Sequence, residues 1–344
     1  MLKVLTSLSR ETIRVASRRT AFRLTGPSLD LQDSKPDTVW HRRPCAVPPA
    51  GSLHPADLDF VKAECRVFRH SLFGILFREA FWVNPPECAA RADRKLLQQS
   101  AAVEVGFDIP QTLYSNDPRE IREFIREHGG TVVYKPFTGG PWRDAETYWM
   151  TFTSAVTIDD LVDDDLLQAT PGIYQEIIPK LYELRITVMG SCALTAKILS
   201  QETRQGRLDW RKSYADLKME IYELPELLCD LCGRLLRKLG LVFGCFDVAV
   251  TPDGRFVFFE VNESGQFLFL ERYTDLPLLD AFSAFLLAGS PDFRWERPRT
   301  IVRYADVKDS AVSRMKEDLS LHVEVPEDYF WEGALAGRRK KRRG

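Results

Sequence analysis

The spacing of apolar residues separates an indistinct N-terminal part of the chain from a regular part that begins near residue 87. At positions 57–83, apolar residues recur at helical spacing, and Asn84-Pro85-Pro86 ends this pattern, since proline lacks a backbone donor and disfavours helix before it. Beyond it, the pattern predicts helices at 89–105, 118–128, 225–239 and 277–287. Strands are predicted at 109–114, 131–135, 173–178, 183–190, 192–200, 243–251 and 255–262. This alternation of helix and strand is typical of an α/β or α+β protein.

Composition and charge narrow the class of protein. The 344 residues are 44% hydrophobic and 28% charged, a balance typical of globular chains, and the net charge of −2 argues against a nucleic-acid partner. No apolar run approaches the roughly 20 residues of a membrane-spanning helix. The seven cysteines show no disulfide framework, which favours the reducing cytoplasm. We expect a cytoplasmic protein without nucleic-acid or membrane partners, and a solvated, disordered tail at the basic run 338–343.

The most informative segment is a predicted hairpin with acids in its apolar strands. Glu260 and Asn262 are two residues apart, so both side chains point to one face of their strand. Around the turn at 252–254, Asp247 falls opposite or diagonal to them. Two carboxylates and an amide oxygen form a hard-oxygen site that suits Mg²⁺. The alternative is a pair of acids that face solvent on an edge hairpin.

Two further elements indicate a site for a phosphate-bearing ligand. Lys135 ends an apolar strand and precedes a glycine loop, whose backbone N–H groups can close over a phosphate; Lys95 alone is a weaker signal. The strand that stops at Pro179 leaves backbone groups for the edge of a purine. Beyond it, Glu183 suits ribose hydroxyls, and Arg185, on the same face, suits phosphate oxygens. The alternative for this last pair is a surface ion pair of little energetic value.

The order of these residues resembles the ATP-grasp superfamily in its RimK-like branch. The strings Trp40-His41-Arg42, Asp209-Trp210-Arg211 and Asn262-Glu263-Ser264-Gly265-Gln266 look like the graspetide synthetases, the microviridin-type peptide maturases. The resemblance implies an ATP-grasp fold of two α+β lobes that clamp ATP. It implies a pre-ATP-grasp region at 1–86, a central lobe at 87–172, a C-terminal lobe at 173–290, and an extension at 291–344 that includes the basic tail.

The resemblance also implies a role for each candidate site residue. Two lysines, Lys95 and Lys135, are expected to contact the phosphates of the nucleotide. Gln175, Glu176 and Ile178 are expected to line the adenine, and Glu183 is expected to bind the ribose. Two arginines, Arg185 and Arg211, are expected to stabilise the transferred phosphate or the substrate carboxylate. Asp247, Glu260 and Asn262 are expected to bind one or two Mg²⁺ ions.

The function implied by the resemblance is an ADP-forming carboxylate ligase. It activates Asp or Glu side chains of a ribosomal precursor peptide, which carries a leader segment, and forms ester or amide crosslinks within that peptide. Similar enzymes often form homodimers. One alternative is a RimK-like ligase that adds an amino acid to a peptide, a protein or a small acid. An alternative of another class is an ATP-binding scaffold that has lost turnover.

Overall fold

The computed structural model describes residues 10–16, 19–26, 29–32, 35–42, 53–137, 141–143, 148–150, 153–204, 206–213 and 217–322. The chain divides into two compact units. One unit is drawn from Met1–Val39, Arg43–Phe81 and Tyr304–Gly344, and the other comprises Trp40–Arg42 and Trp82–Arg303. Among the described residues, no helix is both long and apolar enough to cross a membrane. The basic run at 338–343 and the glycines at 139–140 lie outside the described residues.

The described part of the chain contains strands and helices in mixed order. The strands are β1 (Arg10–Ala16), β2 (Arg19–Gly26), β3 (Leu29–Gln32), β4 (Thr38–Trp40), β5 (Phe81–Val83), β6 (Thr112–Ser115), β7 (Val132–Lys135), β8 (Pro141–Arg143), β9 (Tyr148–Met150), β10 (Ser154–Val156), β11 (Gly172–Gln175), β12 (Tyr182–Met189), β13 (Cys192–Ile198), β14 (Met219–Tyr222), β15 (Phe243–Val250) and β16 (Phe256–Asn262). The helices are α1 (Leu58–Ile75), α2 (Pro86–Ala92), α3 (Lys95–Val105), α4 (Pro118–Glu127), α5 (Asp164–Gln168), α6 (Glu226–Leu239), α7 (Leu278–Ala288) and α8 (Tyr304–His322).

Two helices differ from the predicted spans. The helix predicted at 57–83 ends at Ile75, because Leu76 has an extended ψ of 140°, and the last part of that span is β5. The helix predicted at 89–105 is two helices, since Arg94 takes an extended ψ of 104° between α2 and α3. Apolar periodicity continues across this break, so the sequence pattern did not show it. The sheet β1-β2-β3 and helix α8 were not predicted.

A five-stranded antiparallel sheet of order β14-β13-β12-β15-β16 organises the larger unit. One face of this sheet packs against α3 and α6, and the shared core includes Leu184, Ile186, Phe246, Phe258 and Val261. Because side chains alternate along a strand, Glu183 and Arg185 of β12 point to the other face. The helices fix one face of the sheet and leave the opposite face for chemistry.

A four-stranded antiparallel sheet of order β10-β7-β11-β6 lies in the same unit. It carries its own core, in which Ile121 and Ile125 of α4 pack with Val132 and Tyr174. Helix α4 begins with Pro118 after Asp117, whose carboxylate accepts a hydrogen bond from the Arg119 N–H at 2.8 Å. Because β7 and β11 are antiparallel, with Gln175 opposite Val133, and side chains alternate along each strand, Lys135 and Gln175 lie on the face of this sheet opposite its core.

Candidate active site

A cleft in the larger unit is lined by residues of both sheets. It encloses about 720 Å³, part of it open to solvent. The four-stranded sheet contributes Val133, Lys135 and Gln175, and the five-stranded sheet contributes Glu183, Asp247, Phe259 and Glu260. The remaining lining residues come from connecting segments and are Thr153, Glu176, Ile177, Ile178, Lys180, Arg207, Leu208, Asp209, Trp210 and Arg211. The cleft therefore brings polar and charged groups together between two α+β layers.

The two carboxylates of the hairpin lie directly opposite each other. Asp247 of β15 pairs with Glu260 of β16, after a turn in which Gly254 adopts a φ of +82° that favours glycine. Their side chains are only 13% and 22% exposed, so they do not face bulk solvent. Lys95 Nζ donates to Glu260 Oε2 at 2.5 Å, and Arg185 Nη1 donates to both Asp247 oxygens at 2.9 Å.

The pKa values of the two carboxylates shift in opposite directions. Burial alone would raise the pKa of Glu260, but Lys95, Arg211 and Lys135 outweigh it and lower that pKa to about 2. Burial raises the pKa of Asp247 more than the Arg185 guanidinium lowers it, and the nearby Glu260 charge raises it further. Glu260 is therefore held ionised. The charged form of Asp247 would be stabilised by any additional cation at this corner of the cleft.

Lys135 and Lys180 both approach the ring of Phe259. Their ammonium nitrogens lie 5.2 Å and 5.6 Å from the ring centroid, within the range of a cation–π contact. Lys135 also donates to Gln175 Oε1 at 2.7 Å. Burial lowers the pKa of Lys135, although Glu260 opposes this shift. An apolar ring close to two cations suits a ligand with a flat apolar part and an anionic part.

Glu183 and Arg185 have separate buried partners. Lys180 Nζ donates to Glu183 Oε1 at 2.7 Å, with side chains 7% and 6% exposed, while Arg185 is bound to Asp247. The interpretation of Glu183 and Arg185 as a surface ion pair is therefore wrong. Burial raises the pKa of Glu183 despite the Lys180 charge.

The two arginines differ in their access to the cleft. Arg185 is 5% exposed, and its Nη2 donates to the Gln266 carbonyl at 2.9 Å. A Cβ at Gly265 would lie 2.6 Å from the Cβ of Cys245 and 3.1 Å from this same Nη2, so the loop can approach Cys245 and Arg185 this closely because it has glycine here. The side chain of Arg211 is 55% exposed and is oriented by Asp209, which accepts from its Nε at 2.8 Å and its Nη2 at 3.0 Å. Of these two arginines, Arg211 is thus the one that a substrate in the cleft can reach.

The structure brings most of the sequence-predicted site residues to one place. Eight line the cleft, namely Lys135, Gln175, Glu176, Ile178, Glu183, Arg211, Asp247 and Glu260. Lys95 and Arg185 bond directly to Glu260 and Asp247, and Asn262 lies two residues beyond Glu260 on β16. Sequence reasoning gave no role to Phe259 or Lys180. A signal for Lys180 was available, since it stands three residues before Glu183 in the segment already singled out.

Comparisons with known proteins agree with this geometry. No protein-family model and no curated protein sequence matches the chain. A solved RiPP-associated ATP-grasp ligase from Chryseobacterium gregarium, in complex with ADP and a leader and core peptide, has 27% identity and a TM-score of 0.73, with 84% of this chain and 88% of that chain covered. The macrocyclase MdnC of Microcystis aeruginosa MRC, bound with precursor peptide MdnA, has 29% identity and a TM-score of 0.71, with 82% and 88% covered. The macrocyclase MdnB of that organism has 28% identity and a TM-score of 0.67, with 81% and 86% covered.

The predicted ATP-grasp fold and the predicted resemblance to graspetide synthetases are confirmed.

Proposed function

We propose that this chain, an ATP-grasp ligase of the graspetide-synthetase type, uses ATP and Mg²⁺ to crosslink a ribosomal precursor peptide that carries a leader segment. Asp or Glu side chains of the peptide become acyl phosphates, and Ser, Thr or Lys side chains of the same peptide displace phosphate to give esters or amides. The observation that carries this proposal is one cleft in which Lys135 and Arg211 face the carboxylates Asp247 and Glu260.

The cleft has suitable groups for each part of ATP. Gln175 ends β11, and Glu176 and Ile178 follow it; the three residues line one wall, where they suit the adenine. Glu183, which is buried but reaches the cleft, suits the ribose hydroxyls. Lys135 and Lys95 carry the positive charges that the phosphates require.

The residues at the hairpin fit a magnesium ion. Asp247, Glu260 and Asn262 supply two carboxylates and one amide oxygen, which are hard ligands, although no three His, Cys, Asp or Glu side chains cluster among the residues that the structure describes. The Lys95 ammonium, 2.5 Å from Glu260, supports the proposal that a cation binds at this corner. When bound, Mg²⁺ would neutralise charge on the phosphates of ATP.

The protein's own residues promote phosphoryl transfer by position and charge. A carboxylate is a poor electrophile, because its charge repels nucleophiles and oxide is a poor leaving group. Attack of a substrate carboxylate oxygen on the γ-phosphorus breaks the bond to ADP and gives an acyl phosphate, whose phosphate is a good leaving group. Arg211 stabilises the charge on the transferred phosphoryl group, and Arg185 holds Asp247 in place for this step.

The proposal is tested by the mass of the product. Incubation of the enzyme with ATP, Mg²⁺ and a candidate precursor should remove one water per crosslink and release ADP, as measured by mass spectrometry and a nucleotide assay. A gain in mass by one amino-acid residue would instead identify a RimK-like ligase. Binding of ATP–Mg²⁺ without ADP formation, with any carboxylate substrate, would identify an idle scaffold. Unchanged precursor mass with leader-bearing peptides would count against the crosslinking function.

The same proposal includes the compartment, the oligomeric state and the domain bounds of the enzyme. We infer a cytoplasmic homodimer, with a pre-ATP-grasp region at 1–86, lobes at 87–172 and 173–290, and an extension at 291–344. The described cysteines, all of them free thiols, suit a reducing compartment. Light scattering on the purified protein would test the dimer.

A further inference from the structure

The outer edge of β16 is bridged by the backbone of Asp108 near Val257 and Phe258, and by a side chain at the end that carries the proposed metal ligands. In the five-stranded sheet, as far as the structure describes it, β16 is an edge strand with β15 on its inner side. Gln98 of α3 occupies its outer side at Val261. Val261 N–H donates to Gln98 Oε1 at 3.0 Å, and Gln98 Nε2 donates to the Val261 carbonyl at 2.8 Å. The amide of Gln98 thus pairs with one residue as a neighbouring strand would.

Gln98 is well fixed for this contact. Its side chain is 1% exposed, and its Nε2 donates a second hydrogen bond to the Ala92 carbonyl at 2.8 Å. Both hydrogens of the amide nitrogen and the amide oxygen therefore have partners. A buried amide with all its groups satisfied has one stable orientation, which it imposes on Val261.

The position of Val261 controls two proposed metal ligands. Val261 stands between Glu260 and Asn262, and its side chain is 2% exposed in the core. Because side chains alternate along a strand, a rotation of Val261 would turn both neighbours away from Asp247. Fixing this single residue fixes the direction of both ligands.

A second contact from the same helix cannot perform this task throughout the reaction. Lys95, one turn before Gln98, donates to Glu260 itself. Under the proposed function, a metal ion and the ATP phosphates compete for these same two groups. Among the residues that the structure describes, the Gln98 side chain hydrogen-bonds only to backbone atoms of Ala92 and Val261, so these bonds need not change when the nucleotide binds.

We propose that Gln98 is a positioning residue that holds Glu260 and Asn262 toward the metal ion while Lys95 leaves Glu260. This inference rests on the proposed function, because it assumes that the hairpin binds Mg²⁺ with nucleotide. It predicts that loss of the Gln98 amide raises the Mg²⁺ concentration needed to strengthen nucleotide binding. The affinity for nucleotide in the absence of Mg²⁺ should stay the same.

The test is calorimetric titration of ADP into the full-length protein over a series of Mg²⁺ concentrations. In Gln98→Met, which is similar in size but makes neither hydrogen bond, the Mg²⁺ concentration that gives half of the increase in ADP affinity should rise about tenfold, the lower range for loss of a group that orients a metal ligand. ADP affinity without Mg²⁺ should stay unchanged. The matched control is Gln99→Met, because Gln99 accepts a hydrogen bond from the Tyr114 hydroxyl and does not contact β16 in any hydrogen bond described.

The outcomes separate the inference from the function on which it rests. A wild-type protein whose ADP affinity does not depend on Mg²⁺ would contradict the proposed function. A normal Mg²⁺ dependence in both wild type and Gln98→Met would overturn only the role of Gln98. Should Gln98→Met fail to fold, Gln98→Glu, which keeps an acceptor for the Val261 N–H, is titrated instead. If neither variant folds, Gln98 serves general stability and the proposal is overturned.

Discussion

Asn84 connects the segment before α2 to both chain ends of the β15–β16 hairpin. Its Nδ2 donates to the Phe243 and Glu263 carbonyls, each at 2.8 Å. Its Oδ1 accepts from the N–H groups of Val242 and Phe243 at 2.8 Å and 3.1 Å. The residue is 1% exposed, so its loss leaves four backbone groups without these partners in a buried place.

The magnitude of the Asn84→Ala effect follows from these four hydrogen bonds. Each is worth about 1 kcal/mol net, and a buried group left without a partner costs at least that much. We expect the free energy of unfolding to fall by about 3–4 kcal/mol, because some water enters the vacated space. Asn84→Asp should be no milder, since its carboxylate would face the Phe243 and Glu263 carbonyls.

The assay combines urea unfolding with hydrogen exchange of the peptide that covers 242–246. Exchange there should accelerate in Asn84→Ala, because the two N–H groups lose their acceptor. Asn116→Ala is the matched control. Asn116 is exposed and makes one hydrogen bond, from its Nδ2 to the Gln168 carbonyl, so its loss should cost less than about 1 kcal/mol. A cost below about 1 kcal/mol for Asn84→Ala would refute this reasoning.

Three further predictions concern the cleft. Glu260→Gln should reduce ADP formation at least about a hundredfold while circular dichroism stays unchanged, because it removes charge without changing shape, and full activity would show that the metal assignment is misplaced. Lys135→Ala should raise the KM for ATP about tenfold in a steady-state assay, since one charged hydrogen bond to phosphate is lost, whereas an unchanged KM would remove Lys135 from the nucleotide site. Lys180→Met and Glu183→Leu should each lower the free energy of unfolding by about 3–5 kcal/mol in urea titrations, because each leaves a buried charge without its partner. The double variant should recover much of this loss, and purely additive losses would contradict an ion-pair origin.

The sequence indicated those parts of the fold that local spacing determines. The turn at 252–254, the strands on either side and the helix at 225–239 depend on residues close in the chain, and the structure has them within one or two residues of the predicted bounds. Contacts between distant segments were beyond this reasoning. Nothing in the spacing shows that Gln98 pairs with Val261, or that Asn84 pairs with Phe243.

The N-terminal strands were missed for a different reason. In β1, Ile13 and Val15 alternate with Arg14, and in β2, Phe22 and Leu24 alternate with arginine in the same way. This is a regular strand pattern, but the segments are short and rich in arginine, so it did not stand out. Helix α8 has a weakly amphipathic sequence, and apolar periodicity gives little signal there.

The juxtaposition of the two carboxylates depends on an irregularity that the sequence does not show. Near the turn, Val248 pairs with Phe258, and regular pairing from there would place Asp247 opposite Phe259. Glu260 would then lie opposite Phe246, whose side chain is in the core, and opposite residues of an antiparallel pair share a face. Instead the register shifts between Asp247 and Val248, so that Phe259 is an extra residue and Glu260 lies opposite Asp247. Because of this bulge, two consecutive residues line the cleft, one offering an aromatic face and the other a carboxylate. A strand without the bulge would have to bury one of these two groups in the core, so the proposed nucleotide and metal parts of the site depend on the same backbone irregularity.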